Sequence, residues 1–227
     1  MLPSLLFVIA CGTSPALLSD MGEVDATVVY RSSNGVAAGS TEVSLVAHEG
    51  CPTFLGEALL NDEPMVVDDG GHSDLQWVLL IIPLPYCAGP HFSLAEPAEE
   101  DDVGLTVTVQ DLSDSWQIGS DDAYAFGYEI DVTEVEFGSD LVIPWTGPVA
   151  PTNVAVMAES DGGTVYIDHV TGDDGTLTFS LPEDDLAPGP IMLTIDADVW
   201  SAAPNCSGFA ACELIHVSSW DWDLVVG

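Results

Sequence analysis

The chain has almost no positive charge. Its 227 residues include 38 Asp and Glu but a single basic residue, Arg31, so the formal net charge at pH 7 is −37. Salt bridges can therefore contribute little to its stability. Nucleic-acid binding is excluded as a function, because it needs basic side chains against phosphates. An anionic lipid surface would also repel the chain.

The total share of charged residues is also low, because basic residues are almost absent. Charged residues make up 17% of the chain, below the usual ~25%, whereas hydrophobic residues make up 47%. This is the composition of a folded chain with a large core, not of a disordered acidic chain. Because self-repulsion destabilises a compact state, we hypothesise a saline environment or stabilisation by divalent cations. A melting temperature that is the same in low and high salt would contradict this hypothesis.

The sequence lacks the patterns that would indicate a membrane span or a common active site. No stretch approaches the ~20 apolar residues of a membrane-spanning helix. The G-x-S-x-G, H-E-x-x-H and C-x-x-C patterns are missing. His72-Ser73-Asp74 brings three triad residue types together, but adjacent side chains usually point apart, so a polar loop is the better interpretation. No catalytic residue is predicted, and an envelope hydrolase is the least favoured function.

A short apolar run before Cys11 carries the clearest motif. Val8-Ile9-Ala10-Cys11 resembles the lipobox of bacterial lipoproteins. The resemblance implies that residues 1–10 are a signal peptide, that Cys11 is lipidated, and that residues 11–22 tether the protein to the envelope, in the outer membrane. The alternative is a free cysteine beside an N-terminal strand, since no Lys or Arg precedes the apolar run.

The cysteine count fits this interpretation. Five cysteines leave one unpaired, and lipidation of Cys11 leaves an even set. Of the three possible pairings, sequence proximity favours Cys51–Cys87 and Cys206–Cys212. The alternative is that the four are buried thiols, which pack as small hydrophobic groups.

Period-two alternation of apolar residues dominates the chain and predicts short β-strands. Glycine- and aspartate-rich clusters separate the alternating runs, an arrangement typical of an all-β sandwich. No amphipathic helix is predicted. The clearest alternating runs are Phe126–Val132, Leu105–Val109, Leu177–Leu181 and Ile191–Val199.

A weak internal repeat of about 100 residues predicts two antiparallel sandwiches in tandem, at residues 23–119 and 120–227. The alternative is one larger sandwich. The matching positions are Val28 with Tyr128, Leu45 with Ile143, Pro83 with Pro182, and Gly89 with Gly189.

Three segments of the second half, 141–146, 174–179 and 186–193, resemble the immunoglobulin-like or fibronectin-III-like repeats of secreted bacterial proteins. The resemblance implies a fold and brings no catalytic residues. The Cys…Trp…Cys arrangement of antibody domains is missing.

Two acidic loops are candidate calcium sites, because hard cations take six to eight oxygen ligands. The sequence indicates no cofactor other than calcium at these loops, and ordinary solvated turns are the alternative. The candidate ligands are Asp68, Asp69 and Asp74 in one loop, and Asp168, Asp173 and Asp174 in the other.

The C-terminal hairpin is the predicted binding surface for a protein or glycan partner. Its candidate ligand-binding residues are Trp200, Phe209, Trp220 and Trp222, although the last two can also pack inward. We therefore expect a non-catalytic, lipid-anchored envelope protein with a binding, adhesion or structural role. A carbohydrate-binding module at the cell surface is the alternative.

Overall fold

The computed structural model describes residues 15–78, 82–94, 104–112 and 114–227; for residues 15, 69, 72–78 and 82–87 it describes the backbone alone. Residues 1–10 and Cys11 lie outside this part of the chain. The described residues form strands and one short 3₁₀ turn, Leu18–Asp20, so the all-β prediction is confirmed. None of them forms a helix long and apolar enough to span a bilayer.

The first part of the chain contributes thirteen of the strands. They are β1 Pro15–Leu17, β2 Val24–Ser33, β3 Val36–Ala37, β4 Thr41–Ala47, β5 Cys51–Thr53, β6 Glu57–Leu60, β7 Glu63–Pro64, β8 Val66–Asp69, β9 His72–Val78, β10 Ile82–Ala88, β11 His91–Leu94, β12 Leu105–Asp111 and β13 Asp114–Ser120.

The second part contributes nine, including the two longest. They are β14 Glu134–Val135, β15 Asp140–Ile143, β16 Asn153–Ser160, β17 Gly163–Tyr166, β18 His169–Thr171, β19 Leu177–Ser180, β20 Gly189–Ala202, β21 Asn205–Ser207 and β22 Ala211–Val226.

One ten-stranded sheet runs through both parts of the molecule. Its main order is β17-β16-β20-β22-β2-β4-β11-β8, with β3 beside β2 and β14 beside β22. A five-stranded sheet, β21-β13-β12-β6-β7, covers one end of it, and a three-stranded sheet, β15-β19-β18, covers the other. Two further pairs, β1 with β5 and β9 with β10, complete the set of described sheets.

Two separate hydrophobic cores lie against the large sheet. The first is packed between β2, β4 and β11 on one side and β6, β12 and β13 on the other. The second is packed between β16, β20 and β22 on one side and β15 and β19 on the other. Strict alternation of buried and partly buried residues along β2 produces the inner face, as the period of a strand requires.

The hairpin of β20 and β22 belongs to both cores. The first half of β22 pairs in parallel with β2, from Ala211 opposite Asp25 to Ser219 opposite Ser33. The rest of β22 pairs with β20, and its last two residues also pair with β14. The first core therefore includes Leu214 from this hairpin. The predicted boundary at residue 119 stays a prediction, but β22 contributes buried residues to both cores.

The alternating runs at β12, β19 and β20 form strands as predicted. The strand predicted at Phe126–Val132 is wrong. This segment forms no strand and makes only one bridge, between Tyr128 and Trp145. Its alternation reflects burial: Phe126, Tyr128 and Ile130 pack in or against the second core. Glu129 and Asp131 between them are exposed.

The cysteines of the C-terminal hairpin pair as predicted. Cys206 and Cys212 form a disulfide with a Cα–Cα distance of 5.8 Å. Cys51 is also disulfide-bonded. The side chain of Cys87, its predicted partner, lies outside the described residues, although its strand β10 contacts β5. The Cys51–Cys87 pairing stays a prediction.

Candidate functional site

A buried polar seam separates the two cores. Along the inner face of β22, His216 and Ser218 interrupt a run of apolar positions, and Ser32 on β2 lies beside them. His216 is 1% exposed and Ser32 is 5% exposed. Polar groups at such positions need internal partners, because water cannot reach them.

His216 is held by one hydrogen bond and three rings. Its Nε2 lies 2.7 Å from Oγ of Ser32. Its ring stacks on Tyr30 at 4.6 Å and meets Tyr124 and Phe126 edge to face. Burial lowers the pKa of His216 to about 4, so the imidazole is neutral at pH 7.

The Ser32–His216 pair has the composition of a catalytic dyad but not its surroundings. Neither residue reaches solvent, and Nδ1 of His216 has no hydrogen-bond partner among the described residues. A nucleophilic serine needs an accessible oxygen and a histidine that a third group orients. The third residue of the seam, Ser218, donates a hydrogen bond to the backbone carbonyl of Ala197. The arrangement is that of a structural seam.

An open groove of about 340 Å³ lies next to this seam. The turn between β2 and β3 forms one wall, the segment 124–131 forms another, and Thr146, Trp220 and Trp222 complete the lining. Asn34 and Gly35 both have positive φ angles, 52° and 76°, as a two-residue hairpin turn requires. The volume is at the lower end of the range for small-molecule sites.

Backbone contacts fix the shape of the groove. A Cβ on Gly127 would lie 2.6 Å from the ring of Trp220, so only glycine lets the backbone approach that indole. The amide of Gly127 donates to Oγ1 of Thr146, which donates in turn to the carbonyl of Gly127. On the opposite wall, Oδ1 of Asn34 accepts from the amide of Asp221. Hydrogen bonds within the protein therefore hold both walls of the groove in place.

The groove is aromatic and negatively charged. Phe126 and Trp222 are partly buried against the second core and line it, and exposed Glu129 and Asp131 line it as well. No basic residue is among the lining residues that the structure describes. Arg31 is engaged elsewhere, where its Nη1 donates to Glu42 at 3.1 Å and to Ser40.

The ion pairs between described residues lie on the first part of the molecule. His48 sits between Asp25, at 2.7 Å, and Glu23, at 3.1 Å. The hydrogen bond with Asp25 is the main cause that raises the pKa of His48. Across the neighbouring strands, His91 pairs with Asp68 at 3.2 Å.

Of the four predicted ligand-binding residues, two are accessible and two are buried in the cores. Trp222 lines the groove, and Trp200 on β20 is 50% exposed. Trp220 is 4% exposed and packs in the second core, which is the inward packing given above as the alternative. Phe209 is 9% exposed and stacks against Trp116 in the first core. The hairpin tip therefore closes a core and does not present a free apolar loop.

The first predicted calcium loop is only partly described. The side chains of Asp69 and Asp74, like those of His72 and Ser73, lie outside the described residues. Asp68 belongs to β8 and pairs with His91, as given above. Its carboxylate therefore already has a partner.

The second predicted calcium loop contains an ordinary capped turn. Oδ1 of Asp174 accepts from the amide of Thr176 at 2.9 Å, and this bond lowers the pKa of Asp174. Asp168 and Asp173 are exposed. Within the described part of the chain, no three His, Cys, Asp or Glu side chains are grouped to hold a metal ion. The calcium sites stay predictions.

Several residues of the groove and seam were not found from the sequence. Asn34 belongs to an Asn-Gly turn signal, and Glu129 and Asp131 lie in an alternating run, but neither pattern marks these residues as part of a groove. His216 carried a usable signal, since it occupies an apolar position in the alternation between Leu214 and Trp220. A polar residue at such a position marks either a satisfied core group or a site.

Comparison with known proteins finds no family model that matches the chain and no curated protein whose sequence matches it. Function must therefore be inferred from the groove itself.

Proposed function

We propose that this chain is a non-catalytic binding protein, anchored by lipid on Cys11 in the bacterial outer membrane, and that the groove is its ligand site. The groove is the observation that carries the proposal. A concave site with an aromatic lining, convergent polar groups and walls ordered by backbone hydrogen bonds is typical of small-molecule binding.

A lipid anchor would explain how so acidic a folded part, here called the head, stays at the envelope. A head with a formal charge of −37 would not adhere electrostatically to an anionic envelope, whereas acyl chains hold it regardless of charge. Part of the predicted tether packs against the head: Pro15–Leu17 pairs with β5, and Leu18 is buried in the first core.

We infer further that the two cores correspond to two immunoglobulin-like sandwiches that share the β20–β22 hairpin. Each core is enclosed by two packed sheets of mainly antiparallel strands, which supports this inference.

Metabolic labelling with a fatty acid tests the anchor. The wild-type chain is expected to incorporate label and to fractionate with membranes, whereas Cys11→Ser is expected to lose both properties. Ser14→Ala, which changes a neighbouring residue outside the lipobox, serves as the matched control and should label normally. A wild-type chain that takes up no label would contradict the proposal.

A carbohydrate-binding surface is the second candidate, and one observation favours it. Trp200 is half exposed on the outer face of the large sheet, directly opposite Ile215, which is itself opposite Val29. This apolar row provides a flat surface on which a sugar ring could stack, with Asp198 two residues away on the same face. If this surface binds glycans, Trp200→Ala abolishes binding to a panel of oligosaccharides while Trp222→Ala does not.

A further inference from the structure

We propose that the groove binds an organic ammonium cation, with the ring of Trp222 and the carboxylates of Glu129 and Asp131 as its recognition groups. This inference rests on the proposed function, because it names the ligand class of the same groove.

The aromatic lining provides the first element of recognition. Phe126 and Trp222 are partly buried, so each retains some exposed ring surface at the groove. The face of an aromatic ring attracts a cation, and tryptophan does so most strongly. Alkylated ammonium groups fit such sites because they are large, weakly hydrated and partly apolar.

The charge of the groove provides the second element. Glu129 and Asp131 are exposed at the lining, and no basic side chain that the structure describes accompanies them. His216 lies behind the wall, with its ring centre 5.5 Å from that of Phe126. It stays neutral at pH 7 because burial lowers its pKa to about 4, so it does not repel a cation. The surrounding field of the acidic chain increases the local concentration of cations.

The chemistry of the lining separates this ligand from two others. An anion would face carboxylates without a compensating base. A compact metal ion takes several oxygen ligands at once, but the described residues contain no grouping of three or more metal-ligating side chains. A neutral sugar would stack on the rings and donate its hydroxyl groups to the carboxylates. The experiment must therefore distinguish a sugar from a cation.

Isothermal titration calorimetry of the full chain with choline chloride tests the proposal. Choline replaces sodium chloride in the titrant so that ionic strength stays constant. The neutral carbon analogue 3,3-dimethyl-1-butanol has the same shape without the charge. Saturable binding of choline, at least ten-fold tighter than binding of the neutral analogue, is the expected result. Equal affinities for the two compounds would overturn the proposal.

Two variants locate the binding. Trp222→Ala is expected to weaken choline binding by about five-fold, which corresponds to the loss of about 1 kcal/mol of cation–π interaction. The double variant Glu129→Gln/Asp131→Asn is expected to weaken it several-fold. Both of its positions are exposed, so folding is unaffected even if Trp222→Ala disturbs the second core. Circular dichroism checks the fold of each variant.

The matched control removes the same charge elsewhere. Glu213 and Asp184 are both exposed and lie outside the groove lining. Glu213→Gln/Asp184→Asn should leave choline affinity unchanged. An equal loss in both double variants would overturn the proposal, because it would indicate general attraction of counter-ions. If the protein binds neutral oligosaccharides but not choline, and Trp222→Ala abolishes that binding, the cation proposal is wrong but the groove is still the ligand site.

Discussion

The two cores of this molecule are built in different ways. The first is assembled from distant parts of the chain, including the tip of the C-terminal hairpin, where Phe209 packs on Trp116 beside the Cys206–Cys212 disulfide. The strands around it also carry the ion pairs of the described residues. The second core comes from one continuous region and is centred on rings, with no ion pair between described residues after 124.

The difference shows what each part depends on. The ring cluster of the second core joins Tyr128, Trp145 and Trp220, whose ring centres lie 5.0 to 5.9 Å apart. This packing is local in sequence apart from Trp220, which the shared hairpin supplies. The first core in turn needs the same hairpin for Leu214 and Phe209. A destabilising substitution at either end of the hairpin should therefore lower the stability of both cores.

Removal of the central ring of the shared hairpin should have the largest effect. Trp220→Ala is expected to lower the free energy of unfolding by about 4 kcal/mol, because it leaves a cavity beside Tyr128 and Trp145. Urea denaturation measures this change.

Trp200→Ala is the control for that experiment. Trp200 lies on the neighbouring strand but is half exposed on the outer face, so its loss should cost less than about 1 kcal/mol. A cost for Trp200→Ala as large as that for Trp220→Ala would contradict the assignment of inner and outer faces.

Acid should weaken the seam between the cores. The pKa of His216 is lowered from 6.5 to about 4 in the folded protein, so between these values the unfolded chain takes up a proton that the folded chain does not. This contribution to stability is complete above pH 6.5 and is lost as the pH falls towards 4. The loss attributable to His216 between pH 7 and pH 4 is expected to be about 3 kcal/mol.

The measurement compares wild type with His216→Phe. Phenylalanine retains the ring against Tyr30 but cannot titrate, and the unpaired hydroxyl of Ser32 has a cost that does not vary with pH. The carboxylates and His48 titrate alike in both chains and cancel in the difference. The same pH dependence in both proteins would mean that His216 does not titrate as its burial predicts.

The disulfide at the hairpin tip should have a smaller effect. Cys206→Ser/Cys212→Ser is expected to destabilise the protein by about 2 kcal/mol, the loop-closure value for so short a loop. The double variant is preferable to a reducing agent, which would also act on Cys51. In urea denaturation the midpoint should move without a second transition. A separate early transition would indicate that the first core unfolds alone.

The fold class could be predicted from the sequence, and so could the strands that show a clear alternation of apolar and polar residues. The residues of β12, β19 and β20 alternate because one face of each strand packs on a core. This alternation is visible in the local sequence without knowledge of the neighbouring strands. The segment Phe126–Val132 alternates equally well, yet it pairs at only one position. Alternation shows that neighbouring side chains face two unlike environments, and it does not show whether a neighbouring strand is present.

The C-terminal hairpin is predictable from the sequence, but its pairing with β2 and its place in both cores are not. The parallel pairing of β2 with β22 joins residues near opposite ends of the chain, and no local pattern encodes that partner. The groove depends on it, because the pairing brings Asn34 next to Asp221. The aromatic residues Trp220 and Trp222 were identifiable as candidates, but their division between core and groove follows from tertiary packing.

Differential scanning calorimetry tests most directly whether the two cores form one unit through this hairpin. A single transition is expected, with a ratio of calorimetric to van't Hoff enthalpy of about 1, because both cores include residues of β22. Two resolved transitions, or a ratio of about 2, would show that the cores unfold independently and would contradict the role of β22 as a strand common to both cores.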